Sequence, residues 1–121
     1  MANPIMSQQT SLARFQAYLL AYEQKNIDDI AAMLASDVTL RDWKICVQGK
    51  EAALAETRAN FAAAQSIQID ILRVYESASA VAGELRIMVD GHIELFVVDA
   101  VDFNAAGQIS AIRAFLGRGD A

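Results

Sequence analysis

AVAGELRIMVDGHIELFVVDAVDFNAAGQISAIRAFL, residues 80–116, decides how the fold is read. Val81, Gly83, Leu85, Ile87 and Val89 alternate with Ala82, Glu84, Arg86 and Met88. That period of two is what a strand imposes on its two faces. Asp90-Gly91 then breaks the pattern, and the pair suits a type I′ turn because both central residues must take positive φ. The next strand is expected from about His92 to Phe103. Asn104 to Gly107 reads as a second turn and Ile109 to Leu116 as the last strand. Upstream, Ile67, Ile69 and Ile71 alternate with Gln68 and Asp70. The C-terminal half therefore reads as a four-stranded antiparallel meander.

The N-terminal half has helical spacing instead. Leu12, Phe15, Leu19 and Tyr22 recur at three and four, with Tyr18 at the edge of their stripe. Thr10 or Ser11 can cap this helix. Asn26 can cap a second, shorter one, with Asp28 and Asp29 in its first turn, where the helix dipole favours acids. Val38-Thr39-Leu40 reads as a short strand ending near Asp42. Gly49 precedes a third helix, roughly Glu51 to Ala64, which is alanine-rich. Helices first and strands afterwards argue for an α+β fold, with three helices on a curved, mostly antiparallel sheet.

A chain of 121 residues suits one domain, here residues 1–121 with 1–9 as a loose tail. Apolar residues make up 55% of it, which excludes a disordered chain. A net charge of −5 argues against nucleic acid and anionic membranes as partners. No segment approaches the ~20 apolar residues of a membrane span. The start, Met1-Ala2-Asn3-Pro4-Ile5-Met6, lacks the basic residues and apolar run of a signal peptide. Cys46 is the single cysteine, which fits a reducing cytoplasm. One cysteine with one histidine, His92, argues against a structural zinc site.

One position in the meander is chemically odd. The row Ile93, Leu95, Val97, Asp99, Val101, Phe103 shares one face of a strand, and Asp99 falls in its middle. If that row faces the helices, Asp99 is a carboxyl group in the core. Burial disfavours its charged form, and a neutral acid can donate a hydrogen bond. The opposite row is also apolar at Phe96, Val98 and Ala100, so both faces are expected to be covered, the second by another subunit. A structural alternative for Asp99 is an ion pair with Arg113 on the following strand. Taken singly, Tyr18 also reads as a core-edge tyrosine and Asp42 as a turn carboxylate.

Asp99-Ala100-Val101-Asp102-Phe103-Asn104, Gly107-Gln108-Ile109 and Ile112-Arg113-Ala114-Phe115-Leu116-Gly117 together resemble the C-terminal half of bacterial ketosteroid isomerases, within the NTF2-like and SnoaL-like superfamily. Asn26-Ile27-Asp28 and Leu34-Ala35-Ser36-Asp37-Val38-Thr39 resemble the second helix of that family and its exit. Tyr18 precedes Asp42 by the interval the resemblance requires. The similarity spans about Leu12 to Gly117. It implies an NTF2-like cone and a cofactor-free isomerase acting on an apolar, steroid-like ketone; the apolar second face of the sheet adds the expectation of a homodimer formed through the sheet. The resemblance further implies that Asp42 is the base that moves the proton, with Tyr18 and Asp99 donating to the dienolate oxygen. Trp43, Met33, Phe61, Met88 and Phe115 are expected to line the substrate cavity. Trp43 stands where the family often has proline, and the third helix carries Thr57 and Phe61 where some members have a tyrosine. Two rival readings remain open on the same fold: a SnoaL-like cyclase or hydratase, and a module that only binds a ligand or dimerises.

Overall fold

The structure is a computed structural model that describes residues 9–118; the expected loose tail lies, except for residue 9, outside the described residues. Three helices come first in the chain, with two strands between the second and the third. They are α1 (Ser11–Glu23), α2 (Ile27–Met33) and α3 (Lys50–Ala63). The strands are β1 (Leu34–Arg41), β2 (Cys46–Gln48), β3 (Ile67–Glu76), β4 (Ala80–Val89), β5 (Ile93–Phe103) and β6 (Ile109–Leu116).

Local chemistry sets the helix starts. Thr10 Oγ1 accepts from the Ala13 amide at 3.1 Å. Asn26 Oδ1 accepts from the Asp29 amide at 3.1 Å, and the Asp29 carboxylate accepts from Asn26 Nδ2 at 2.8 Å. The Ala13 and Asp29 backbone amides satisfied in this way have no partner inside their helices. Asp90 and Gly91 both take positive φ, 55° and 74°, as the tight turn between β4 and β5 demands. The Asp90 side chain also accepts from the Gln65 and Ser66 amides, which ties the end of α3 to that turn.

The sheet is larger than the expected meander. Its order is β2-β1-β6-β5-β4-β3. The four C-terminal strands pair antiparallel in sequence order, while β1 runs parallel to β6 and carries β2 as a hairpin partner. The short Val38–Leu40 strand is thus the C-terminal part of a longer one. Its pairing shifts register between Leu34 and Thr39, and its partner lies some seventy residues away, so no local period announces it.

The helices lie on one face of this curved sheet, and the core forms between them. Phe15, Ile30, Val38, Leu85, Val101 and Ile109 are its most deeply buried members. Phe15 fixes how closely α1 approaches the sheet. A Cβ on Gly83 would stand 2.7 Å from Phe15 Cζ and 2.9 Å from Cε2. Glycine in the middle of β4 therefore lets the ring rest on bare backbone. Tyr18 lies one turn further along α1, so this contact also sets the height of Tyr18 above β5. Gly83→Ala is expected to destabilise the fold by about 1–3 kcal/mol through overpacking, measured by urea denaturation.

Candidate active site

Strand register brings the two carboxylates together. In β5, Asp99 pairs with Gly83 of β4 on one side and Ala114 of β6 on the other. In β1, Leu40 and Arg41 pair with Ile112 and Arg113 of β6. Asp42 follows one step later, so it stands beside Ala114. Asp42 and Asp99 thus flank Ala114 from two neighbouring strands, roughly 10 Å apart along the sheet at ordinary strand spacing. Ala114, the small residue between them, leaves room above this row.

That room is a cavity of about 310 Å³. Tyr18, Tyr22, Asp42 and Asp99 all line it, Ile69, Ile87 and Leu95 form part of an apolar wall, and Trp43 is at its margin with 43% of its surface exposed. The volume is at the lower end for a cavity that encloses a small organic ligand. From α3, Glu56, Thr57 and Asn60 also line it.

Asp99 lies deep in the protein, yet its surface is only partly covered, because it faces the cavity rather than packed side chains. Desolvation by burial pushes its pKa up to about 7. Arg113 does not neutralise it. Alternation turns Arg113 to the other face, where its guanidinium grips Asp102 at 2.8 and 3.2 Å. The alternative of an Asp99–Arg113 ion pair is therefore corrected. Tyr18 is buried, and its pKa is raised well above the ordinary phenol value, first by desolvation and then by Asp99 and Tyr22. It keeps its proton and can donate it.

Asp42 is held by a tight turn. Its Oδ1 accepts from the Lys44 and Ile45 amides at 2.7 and 2.9 Å, and its own amide donates to the Ile45 carbonyl at 2.9 Å. One carboxylate oxygen is thereby anchored. Oδ2 has no hydrogen-bond partner among the described residues. The turn closes the β1–β2 hairpin, whose last pair is Arg41 with Cys46.

The expected lining residues fare unevenly. Trp43 lines the cavity, and four others do not. Met33 ends α2 and faces a separate cleft with Arg14 and Phe103. Met88 and Phe115 sit on the outer face of the sheet, Phe115 with 56% of its surface exposed, because their neighbours Ile87 and Ala114 take the inward positions. Phe61 is buried behind the cavity wall, edge-on to Tyr22 at 4.9 Å. Tyr22 and Asn60 were missed as site residues. Tyr22 reads as one more member of an apolar stripe, and Asn60 as an exposed helix position. Among the described residues no three His, Cys, Asp or Glu side chains gather as metal ligands would.

Comparison with known proteins agrees with this architecture. Residues 15–112 match the SnoaL-like domain, and the chain belongs to that family. A steroid delta-isomerase from Nocardioides simplex is 35% identical over 96 residues, covering 75% of this chain and 76% of that protein. The resemblance to ketosteroid isomerases therefore extends to a relative of that name. An NTF2-like protein of unknown function from Cytophaga hutchinsonii superposes with a TM-score of 0.77 at 13% identity, over 91% of this chain and 92% of that one. An LEH-like epoxide hydrolase from M. tuberculosis superposes with a TM-score of 0.74 at 16% identity, over 88% and 82% of the two chains. The two superpositions establish an NTF2-like fold and nothing finer.

The raised Asp99 pKa has a consequence for stability. Its folded value, about 7, exceeds the ordinary 3.8. The folded state then binds the proton more tightly than the unfolded chain. The stability this contributes is complete below about pH 4 and is lost as pH rises through about 7. Asp99→Asn is expected to gain stability relative to the parent between pH 5 and pH 8, by denaturant unfolding at both values. A carboxylate held by an ion pair would give the opposite trend.

Proposed function

We propose that this protein is an allylic isomerase, moving a carbon–carbon double bond into conjugation with a ketone on an apolar, steroid-like substrate. The observation that carries this reading is a desolvated carboxyl group, Asp99, unpaired among the described residues and facing the same apolar-walled cavity as Tyr18, with a second carboxylate across Ala114. Asp42 would take a proton from the carbon between the ketone and the double bond, through Oδ2. The electron pair moves onto the ketone oxygen, giving a dienolate. Tyr18 and neutral Asp99 donate hydrogen bonds to that oxygen and stabilise it more than the neutral ketone. Asp42 then returns its proton at the far end of the dienolate, and the conjugated ketone results. This sequence returns every group to its starting state, so it requires no cofactor.

The test is conversion of androstenedione from its unconjugated β,γ form, followed by ultraviolet absorbance. Asp42→Asn is expected to lower kcat/KM by about 10²–10⁴-fold and Asp99→Ala by about 10²–10³-fold. In the parent protein kcat/KM should fall as pH rises through about 7, because ionised Asp99 can no longer donate. A parent protein that converts neither this ketone nor a smaller one would overturn the assignment and favour a ligand-binding module.

The same reading extends to assembly. On the outer face of the sheet Phe96, Val98 and Ala100 are only partly covered, and Phe115 is exposed beside them. The Arg86–Glu94 and Arg113–Asp102 pairs border this strip. Apolar centre with charged rim suits a second copy of the chain. Light scattering is expected to give twice the chain mass, and Val98→Asp to give the monomer. No described helix is long and apolar enough to cross a membrane, and a lone cysteine suits the reducing cytoplasm where we place the protein.

A further inference from the structure

The proposed reaction uses Tyr18, Asp42 and Asp99 and leaves one hydroxyl in the cavity without a task. Tyr22 lies one turn beyond Tyr18 on α1, with ring centroids 6.1 Å apart and planes tilted by 58°. Phe61 braces the Tyr22 ring edge-on from behind. The ring therefore cannot swing into the core, and its hydroxyl end meets Asn60 on α3. Asn60 Nδ2 donates to the Tyr22 hydroxyl oxygen at 3.1 Å.

That direction of donation matters. A phenol oxygen that accepts one hydrogen bond still carries its own proton to give. Among the described residues no acceptor takes that proton, and the hydroxyl belongs to a residue lining the cavity. We infer that Tyr22, aimed by Asn60, is a third hydrogen-bond donor to the bound substrate's oxygen, and that Asn60 is its positioning residue. The inference rests on the oxyanion reading of the cavity and adds a donor to it.

Two features support it. Burial raises the Tyr22 pKa ahead of the Asn60 hydrogen bond, which works against it, and Asp99 and Asp42 raise it further. Tyr22 thus remains a phenol with its proton in place beside Asp42, the carboxylate that gains and loses charge in the proposed cycle. The third helix presents Thr57 to the cavity, but the Thr57 hydroxyl already donates to the Ala53 carbonyl at 2.8 Å. Of the α3 groups facing Tyr18 and Tyr22, the Asn60 amide is the one that reaches a tyrosine hydroxyl.

The test uses β-naphthol, a planar apolar phenol whose ionised form mimics the dienolate, and whose emission reports whether it is bound as phenol or naphtholate. Tyr22→Phe keeps the ring against Phe61 and removes only the hydroxyl. It is expected to weaken naphthol binding about 10-fold or more, as loss of a hydrogen bond to a charged oxygen does, and to reduce the bound naphtholate emission. Asn60→Leu, at an exposed position, is expected to weaken binding about 3-fold in the parent and not at all in the Tyr22→Phe background, a coupling that separates aiming from general destabilisation. If the parent binds naphthol, Tyr18→Phe or Asp99→Ala weakens it and Tyr22→Phe does not, this inference fails while the isomerase reading stands. If the parent does not bind naphthol, both fail together. Should Tyr22→Phe not fold, Asn60→Leu decides alone: unchanged affinity and emission overturn the inference.

Discussion

A carboxyl group enclosed in an apolar row without a counter-charge is the constraint on which the rest of this structure turns. Burying an ionised carboxylate is expensive, and proteins ordinarily relieve it with a cation or several amide donors. Asp99 has neither. Its relief is to hold its proton to about pH 7. The surrounding choices are consistent with keeping it so. Arg113, on the neighbouring strand, is turned away by strand alternation and occupied by Asp102. The cross-strand neighbours of Asp99 are Gly83 and Ala114, too small to cover it. The group is left facing a cavity.

The same row builds that cavity. Gly83 lets Phe15 settle onto the sheet, and this contact sets the height of α1 and hence of Tyr18 and Tyr22. Ala114 opens the floor between Asp99 and Asp42. A valine or leucine at either place would fill the space or lift the helix. The turn after β1 anchors one oxygen of Asp42 by two backbone amides and leaves the other unengaged. Short-range hydrogen bonds thus fix the carboxylate on which a proton transfer would depend, while packing fixes the donors opposite.

Much of this was legible from particular residues. Period two in β4 and β5 put Asp99 in one row with Val97 and Val101, and Asp90-Gly91 marked the hairpin between the two strands. The Leu12, Phe15, Leu19, Tyr22 stripe gave α1 and set Tyr18 beside it. Errors arose where alternation gives relative but not absolute information. Met88 and Phe115 are apolar neighbours of inward residues, and their own side chains point the other way. Phe61 and Met33 are expected at the cavity, yet one stands behind Tyr22 and the other faces a separate cleft. β2 is only three residues long, too short for any period to show.

The sequence by itself determined the class of fold, the order of the three helices and the four C-terminal strands, and the presence of a carboxyl group among apolar neighbours, because these follow from local periodicity and turn chemistry. Tertiary structure alone decided that Asp99 is unpaired, that Asp42 lies across Ala114 from it, and that Tyr22 meets Asn60. Each of those facts depends on pairing or packing between residues distant in the chain. The parallel register of β1 against β6 and the approach of α1 and α3 over the sheet are set by the fit of the whole core, and no local pattern encodes them.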